Sequence, residues 1–449
     1  MRTPHALIAA AAALAAAIAA PPAVTAAAAV PTTGGYYVQS AVTGLDAAAN
    51  GATVEQHSPK GDEDHQRWNL RPAPSPATSS VLENADTAGS CLGRSGDQAR
   101  TVACASPDAV WDIAPVGNDR YTLKDPAGDR YLTVGAGSPA QLAVGSPGDL
   151  ASWYLTPVDP PTRPMPSADR RTLDQVTFLT AHNAYANGVD GGFAPPFVNL
   201  VPNQTRGIDR QLADGVRGFM LDIHQTPDGA ILCHDSCFLV SRPVALWVDL
   251  QRIVSFLKAH PDQVATVFLE DYVDPGVLRG EITRVNGLQD VLFRPDQAGV
   301  RQNGWPKVAD MIASGHRLLI FSDHDRAADE AAGLTRDSFG VMYQRDWTVE
   351  NYWSMGSGIG TSDWTCVSRW GGVPLTRTEP GFDPLFVMNH FRDVTIAPTA
   401  QTDNTKLADR ARRFCQPAAR RKPNYLAVDR YDLGDPTSAV NLLNTYTYP

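Results

Sequence analysis

Three absences narrow the functions open to this chain of 449 residues. Basic residues are not in excess, because Lys plus Arg number 38 against 48 Asp plus Glu and the formal net charge is −10. A nucleic-acid-binding protein usually has a basic face, and this balance argues against one. No two cysteines are spaced as CxxC, which argues against a cysteine-bound metal. After the N-terminal segment no apolar run is long enough to span a bilayer.

Residues 1–29 have the pattern of a secretion signal. Arg2 precedes an apolar run from Leu7 to Ala20, and small residues then lead to Val30. The run is rich in alanine and shorter than the roughly 20 residues that a membrane-spanning helix needs. We therefore expect cleavage of this segment and a secreted, extracellular protein, present as a monomer.

Six cysteines remain in the exported chain, and an even number in such a chain suggests disulfides. Six cysteines allow fifteen pairings. Proximity in the sequence favours Cys91–Cys104, Cys233–Cys237 and Cys366–Cys415.

A repeat occupies the first third of the chain. Trp68, Trp111 and Trp153 recur at intervals of 43 and 42 residues, each at the end of a segment with three short strand-like runs. A fixed period of this kind predicts one supersecondary unit used three times around a shared core. From Val30 to Val158 the pattern resembles the ricin B-type β-trefoil lectins, which are all-β.

The lectin resemblance implies a sugar site in the first repeat. In that family the site uses an Asp on the second strand and polar residues near a Gln-x-Trp signature, and Asp46, Gln56 and Gln66 match these roles. Gly93 and Thr133 stand in place of the Asp in the other two repeats. The resemblance thus implies a glycan partner bound through repeat one.

A proline-rich stretch separates the repeat from the rest of the chain. Pro157 to Pro166 holds five prolines among ten residues, a composition typical of an extended linker. We predict a lectin-like domain at 30–158, a linker at 159–169 and a catalytic domain at 170–449.

From Arg170 onward, apolar strand-like runs alternate with helix-like stretches such as Val244 to Ala259. This alternation predicts an α/β fold, a TIM-type (β/α) barrel preceded by the all-β trefoil domain. Chemistry in such a barrel lies at the carboxyl ends of the strands. Five histidines fall at predicted strand ends, namely His182, His224, His234, His324 and His390.

Three ordered motifs carry a second resemblance. LTAHNAY at 179–185, QLADGVRGFMLDIH at 211–224 and LCHDSC at 232–237 resemble the X region of phosphatidylinositol-specific phospholipase C, closest to the secreted PLC-like phosphodiesterases of bacteria and fungi. The likeness spans about Leu173 to Asp432. It implies that His182 is the general base and His234 the general acid. It also implies a phospholipid or inositol phosphodiester substrate, with peripheral membrane contact.

The phosphoryl oxygens also need a positive counterpart. Relatives supply calcium or an arginine. Asn183, Asp222 and Glu270 match three of the four calcium ligands of the calcium-type relatives, and Met220 stands where another acid would be. His224 stands where the arginine-type relatives have their Arg, so a protonated His224 is a third catalytic candidate. The oxygen ligands favour Ca²⁺ or Mg²⁺ over zinc.

Other functions fit parts of the sequence. A glycoside hydrolase would use Asp222 and Glu270 as its paired carboxylates, but it does not require two histidines. A non-catalytic binding protein would explain Met220. A glycerophosphodiesterase would normally have an Arg after the first His, where Asn183 stands.

Overall fold

The structure is a computed structural model. It describes residues 31–59, 64–117, 119–137, 140–159, 162–190, 202–234, 237, 243–325, 335–360 and 362–448. The predicted secretion signal therefore lies outside the described residues. Within them, no helix has the length and hydrophobicity that a membrane crossing requires.

The first third of the chain forms one antiparallel sheet of twelve strands. In chain order they are β1 (Gly34–Ser40), β2 (Asp46–Asn50), β3 (Thr53–His57), β4 (Arg67–Pro72), β5 (Ser80–Asn84), β6 (Ser90–Ser95), β7 (Gln98–Ala103), β8 (Asp112–Gly117), β9 (Arg120–Lys124), β10 (Tyr131–Gly137), β11 (Ala140–Gly145) and β12 (Trp153–Pro157). One-turn 3₁₀ helices at Asp64–Gln66, Pro107–Ala109 and Asp149–Ala151 come shortly before every fourth strand.

The predicted repeat is visible in the strand pairing. The first and fourth strands of the three repeats form a ring: β1 pairs with β4 and β12, β4 with β5, β8 with β9, and β9 with β12. A bridge between Ser80 and Trp111 joins β5 to the start of β8. The hairpins β2–β3, β6–β7 and β10–β11 contact one another through β3, β7 and β11. This unit is a closed barrel with three hairpins across one end.

The three tryptophans fill the core of this barrel, and all are 0% exposed. Every indole N–H donates to a backbone carbonyl in its own repeat: Trp68 to Ala47 at 2.8 Å, Trp111 to Leu92 at 2.9 Å and Trp153 to Leu132 at 2.9 Å. A buried indole needs such an acceptor, because an unpaired N–H in the core is destabilising. The equivalent contacts explain the spacing of the tryptophans in the sequence.

The rest of the chain builds on a parallel sheet. The strands that follow are β13 (Arg163–Pro164), β14 (Phe178–Ala181), β15 (Gly218–Thr226), β16 (Gly229–Leu232), β17 (Val244–Ala245), β18 (Ala265–Tyr272), β19 (Leu318–Ser322), β20 (Met342–Tyr343), β21 (Thr348–Glu350), β22 (Leu385–His390), β23 (Tyr425–Val428) and β24 (Tyr446–Thr447). Eight of them lie in the order β20-β19-β18-β15-β14-β23-β22-β21, and all neighbours in this order are parallel. The linker strand β13 pairs with β24 near the C-terminus.

Helices lie between and around the strands of the parallel sheet. They are α1 (Ile208–Ala213), α2 (Leu246–Ala259), α3 (Pro275–Arg284), α4 (Leu288–Val291), α5 (Val300–Asn303), α6 (Val308–Ser314), α7 (Gln344–Trp347), α8 (Ala397–Asn404), α9 (Leu407–Arg410), a π-helical turn Ala411–Cys415, α10 (Gln416–Ala419) and α11 (Pro436–Leu443), with 3₁₀ turns at Leu173–Gln175 and Arg336–Phe339. In α2 the apolar residues recur at helical spacing and are buried, which confirms the helix predicted there.

The predicted fold class is wrong for the second domain, which is not a TIM-type (β/α) barrel. The parallel sheet is a half-barrel, because no ladder joins its outer strands β20 and β21 within the described residues. These strands have only two and three residues, and a one-turn helix connects them. The described part of 351–384, between β21 and β22, has no helix either. The regular alternation that closes a (β/α)₈ barrel therefore stops after β19.

The disulfides are those that proximity favoured. Cys91 pairs with Cys104, Cys233 with Cys237 and Cys366 with Cys415. The last pair attaches the segment 351–384 to the π-helical turn. The domain boundaries at 158 and 170 stay predictions, with β12 ending at Pro157 and β14 beginning at Phe178.

Candidate active site

Alternation along the parallel strands decides which side chains face the inside of the half-barrel. In β18, Val267 and Leu269 pack in the core between the sheet and helices such as α2. Phe268 instead belongs to a second apolar cluster, with Phe321 and Tyr425, inside the half-barrel. Successive side chains point to opposite faces, so Glu270 follows Phe268 on the inner face. Asp222 lies beside Glu270 in the register of β15 and β18. The inner face thus changes from apolar to acidic at the carboxyl ends of the strands.

A cavity of about 330 Å³ opens at these carboxyl ends. Five of the residues singled out in the sequence line it: His182, Asn183, Asp222, His234 and Glu270. His182 and Asn183 follow β14, and His234 follows the hairpin strand β16. The two predicted proton-transfer groups therefore share one pocket.

His182 is held by two contacts, and one of its partners is held in turn by further hydrogen bonds. Its Nδ1 lies 2.8 Å from a carboxylate oxygen of Asp429, which follows β23. Its ring stacks on Phe391, with ring centres 3.5 Å apart and planes 5° apart. Asn203 and Thr395 donate to the Asp429 carboxylate, Asn203 at 3.0 Å. A carboxylate on one ring nitrogen fixes the tautomer and leaves Nε2 for chemistry.

The Asp222 carboxylate is buried beneath the cavity, at 4% exposure. The Tyr185 hydroxyl donates to it at 3.1 Å. The Asn183 amide, with its nitrogen toward Asp222, donates to both carboxylate oxygens at 2.9 and 3.3 Å. Asn183 has a φ of +43°, a conformation that asparagine tolerates better than most residues. Burial raises the pKa of Asp222 well above its usual value, and the nearby Glu270 raises it further.

Glu270 lies between a tyrosine and an arginine. The Tyr272 hydroxyl donates to one carboxylate oxygen, and the Arg369 guanidinium lies 3.6 Å from the other. Arg369 also donates to Glu350 at 2.8 Å, and Glu350 in turn accepts hydrogen bonds from Gln344 and Asn389 at 2.8 and 2.7 Å. Arg369, Glu350, Gln344 and Asn389 all line the cavity.

Sequence reasoning missed Arg369 and Glu350. Arg369 lies in the segment 351–384, which has no regular periodicity, and Glu350 ends a strand of three residues. For Glu350 the one available signal was its position at the carboxyl end of a strand, a position that Asn389 shares. Arg369 had no such signal.

His224 is not among the residues that line the cavity, so the structure gives no support to its predicted catalytic role. Its ring stacks on Tyr272, with centres 4.6 Å apart. Strand β15 continues past Asp222 into a hairpin with β16, which carries His224 beyond the pocket. His224, Cys233 and Cys237 have potential metal ligands within 4.8 Å of one another, but the disulfide occupies both sulfurs. His390 is buried against the carbonyl of Asp403, and burial lowers its pKa to about 3.

The resemblance implies that Asn183, Asp222 and Glu270 bind Ca²⁺ or Mg²⁺, but the contacts of these residues do not fit such a site. Calcium takes six to eight oxygen ligands and magnesium six. Asn183 uses its amide as a donor to Asp222, and Glu270 is engaged by Tyr272 and Arg369. Met220, where a further acid would stand, lines the same cavity with an apolar side chain.

The residues of the predicted sugar site are all buried, with Asp46, Gln56 and Gln66 at 1%, 2% and 1% exposure. Gln56 accepts a hydrogen bond from Thr43 at 2.6 Å, and Gln66 donates to the carbonyl of Ser58 at 2.9 Å. Burial raises the pKa of Asp46 well above its usual value. The structure places these side chains inside the first repeat and does not present them to a glycan.

Comparison with known proteins identifies what the second domain resembles. Residues 170–359 match the family model PI-PLC X 1. A PI-PLC X domain-containing protein of Arabidopsis thaliana is 28% identical over 285 residues, which are 62% of this chain and 63% of the relative. PI-PLC X domain-containing protein 1 of Arthroderma benhamiae is 30% identical over 41% of this chain and 58% of the relative. The chain thus contains a region similar to the PI-PLC X domain, as its motifs predicted.

A third relative is named for secretion. An uncharacterized secreted protein of Arthroderma benhamiae is 23% identical over 62% of this chain and 62% of its own length. The matches cover about three fifths of the length of these curated relatives. Among solved structures, the Macrolepiota procera ricin B-like lectin in complex with lactose is 15% identical, has a TM-score of 0.24 and covers 29% of this chain and 99% of that chain.

Proposed function

We propose that this chain is a secreted phosphoric diester hydrolase or lyase of the phosphatidylinositol-specific phospholipase C type. The observation that carries the proposal is that His182 and His234 line one cavity, with Asp429 on the far nitrogen of His182. The match of residues 170–359 to the PI-PLC X model supports the same reaction class. Three disulfides and a relative named as secreted support export.

In the proposed reaction a hydroxyl of the substrate attacks the neighbouring phosphorus. Nε2 of His182 takes the proton of that hydroxyl while its oxygen bonds to phosphorus. The bond from phosphorus to the leaving alcohol breaks, and His234 donates a proton to the departing oxygen. The product is a cyclic phosphodiester. Water then opens it with the two histidines in reversed roles.

The mouth of the cavity favours a substrate with an apolar part. Trp353 and Val394 line the cavity and are 38% and 42% exposed. Tyr352 and Ile359, at 46% and 70% exposure, lie in the same segment, and the Tyr352 ring is 5.5 Å from that of Trp353. Clustered exposed apolar groups mark membrane, ligand or protein contacts, and beside a pocket for a phosphodiester we favour a lipid. We therefore propose a phospholipid substrate, with the inositol headgroup that the similarity to the PI-PLC X model suggests.

The test is cleavage of phosphatidylinositol vesicles by the full chain and two alanine variants. His182→Ala should lower the rate about 10²- to 10⁴-fold, because the proton acceptor is lost. His316→Ala, which removes an exposed histidine outside the cavity lining, should keep the wild-type rate. Full activity of His182→Ala would refute the assigned base. Release of reducing ends from polysaccharides, without a phosphorus product, would instead support a glycoside hydrolase.

For the first domain we propose glycan binding that holds the enzyme at a surface. The threefold barrel, with its three equivalent repeats, supports this role for the domain. Because Asp46, Gln56 and Gln66 are buried, the contacts would come from other residues. The full chain on a glycan array should retain at least one glycan, and an array without any bound glycan would contradict the proposal.

A further inference from the structure

The proposed substrate raises a problem of charge. A phosphodiester is an anion, yet among the described residues that line the cavity acidic side chains outnumber the arginines. It carries the carboxyl groups of Asp222, Glu270, Asp323, Glu350 and Asp393 against the guanidinium groups of Arg369 and Arg392. Phosphoryl oxygens gain further negative charge in the transition state and need a fixed positive partner.

Arg392 is committed to the protein itself. It forms a buried ion pair with Asp403, at 2.6 and 3.3 Å, and it donates to the carbonyls of Ser357 and Gly360 at 3.1 and 3.0 Å. Its side chain is only 7% exposed. These contacts hold the segments around the mouth together and leave Arg369 as the better candidate for a ligand.

Arg369 is held on one side by Glu350, and its side chain is partly exposed on the side that lines the cavity. Its backbone N–H donates to the Glu350 carbonyl at 2.9 Å, and its Nη1 donates to the Glu350 carboxylate at 2.8 Å. The Glu350 side chain is 1% exposed. The Arg369 side chain is 26% exposed and lines the cavity. A guanidinium has five N–H donors, so one hydrogen bond to Glu350 leaves donors for an anion.

We propose that Arg369 binds a non-bridging phosphoryl oxygen of the substrate and stabilises its charge in the transition state without a metal ion. This inference rests on the proposed phosphodiesterase function. Glu350 orients the guanidinium, and Glu270, 3.6 Å from Nη2, is its second counter-ion. The arginine reaches the pocket from the segment 351–384 rather than from the motif around Asp222.

The first test compares Arg369→Ala and Arg369→Lys with the wild-type full chain on phosphatidylinositol vesicles. Loss of one stabilising donor group predicts a fall in kcat of about 10²- to 10³-fold for Arg369→Ala and a smaller fall for Arg369→Lys. Added guanidinium chloride at low concentration should restore part of the Arg369→Ala rate. A purely structural arginine would not give this rescue. Arg301→Lys is the matched control, because Arg301 pairs with Glu379 outside the cavity lining, and it should retain the wild-type rate.

EDTA provides the second arm, because the wild-type rate should be unchanged by it. Wild-type kcat in Arg369→Ala, or an enzyme that EDTA stops and Ca²⁺ restores, would overturn the inference while leaving the phosphodiesterase in place. Calorimetry with myo-inositol 1-phosphate tests the anion site separately from turnover. Wild type should bind this probe and Arg369→Ala should bind it at least about tenfold more weakly. Equal binding by both overturns the inference even if the chain cleaves no lipid.

Discussion

In the antiparallel barrel, residues 34–157, buried polar side chains make separate local hydrogen bonds. In the half-barrel, a group of polar side chains lines a single cavity. Each core tryptophan donates a hydrogen bond to a different backbone carbonyl, and Gln66 donates to the carbonyl of Ser58. In the half-barrel, His182, Asp222 and Glu270 line one pocket with two arginines.

The difference follows from strand direction. A closed antiparallel barrel built from repeats points its inner side chains at a shared axis, where large apolar groups fill the space. Parallel strands end at the same edge, so the first polar residue after each apolar run joins its neighbours there. Burial of a polar residue therefore has a different meaning in the two regions. In the first it is structural, whereas in the half-barrel the buried polar residues at the strand ends contribute to a candidate site and others, such as Arg336 paired with Asp271, are structural.

The largest expected effect on activity comes from removing the carboxylate that orients His182. Asp429→Asn keeps the shape of the side chain but removes the charge that orients the imidazole. We expect kcat on phosphatidylinositol to fall about 10²- to 10⁴-fold, with the melting temperature nearly unchanged. Steady-state kinetics and thermal unfolding measure both. Asp432→Asn is the control, since that carboxylate pairs with Arg206 outside the cavity lining. Unaltered kcat in Asp429→Asn would show that this contact does not serve catalysis.

A change in the core of the antiparallel barrel should lower stability and leave the rate of lipid cleavage unchanged. Trp111→Ala leaves a cavity in the core of the barrel and should lower the free energy of unfolding by about 3–5 kcal/mol. Denaturant unfolding measures the loss. The rate of lipid cleavage per folded molecule should stay near wild type, because no core tryptophan lines the cavity. A folded Trp111→Ala variant with strongly reduced kcat would show that the two regions are coupled.

Removal of a disulfide should affect the two regions differently. Removing Cys366–Cys415, which closes a separation of 49 residues, by a double Cys→Ala change should cost about 2–4 kcal/mol. Removing Cys91–Cys104, with a separation of 13, should cost about 1 kcal/mol less by loop entropy. Only the first change should lower activity, because Cys366 anchors the segment that carries Arg369. Equal loss of activity in both double variants would contradict this assignment.

The smallest effect concerns Asp46. Burial places its folded pKa above its unfolded pKa, so the unfolded chain loses the proton first as pH rises. The free energy of unfolding should therefore fall as pH rises from the unfolded pKa through the folded pKa. Asp46→Asn stays neutral, so it should be more stable than wild type at neutral pH and less dependent on pH. Denaturant unfolding across this range tests it, with the exposed Asp86→Asn as control. A wild-type pH dependence in Asp46→Asn would contradict the argument.

Local patterns predicted much of this fold. The spacing of Trp68, Trp111 and Trp153 predicted the threefold unit, and the apolar period in Val244 to Ala259 predicted α2, which begins two residues later at Leu246. Proximity predicted the three disulfides. The number and length of the later strands were not predictable, because β20 and β21 are too short to produce a period. The TIM-type barrel was therefore expected where a half-barrel exists.

The candidate site was predictable where a polar residue comes at the end of an apolar run in the sequence. In the sequence His182, Asp222 and Glu270 come at the end of apolar runs, and the structure brings them to the cavity. Arg369 does not come at the end of such a run, and tertiary folding and a disulfide bring its segment to the pocket. The sugar-site residues stay a prediction, and their burial shows that a motif position does not reveal whether a side chain faces solvent. Asp46 and Gln66 match a pattern yet lie inside the barrel.

In the proposed reaction His182 and His234 act on either side of one phosphorus atom. Phosphorus NMR of phosphatidylinositol incubated with the full chain detects this reaction through its product. We expect a cyclic inositol phosphodiester signal that appears with wild type and is absent with His182→Ala. An acyclic phosphate formed from the start, or a cyclic product formed equally fast by His182→Ala, would contradict it.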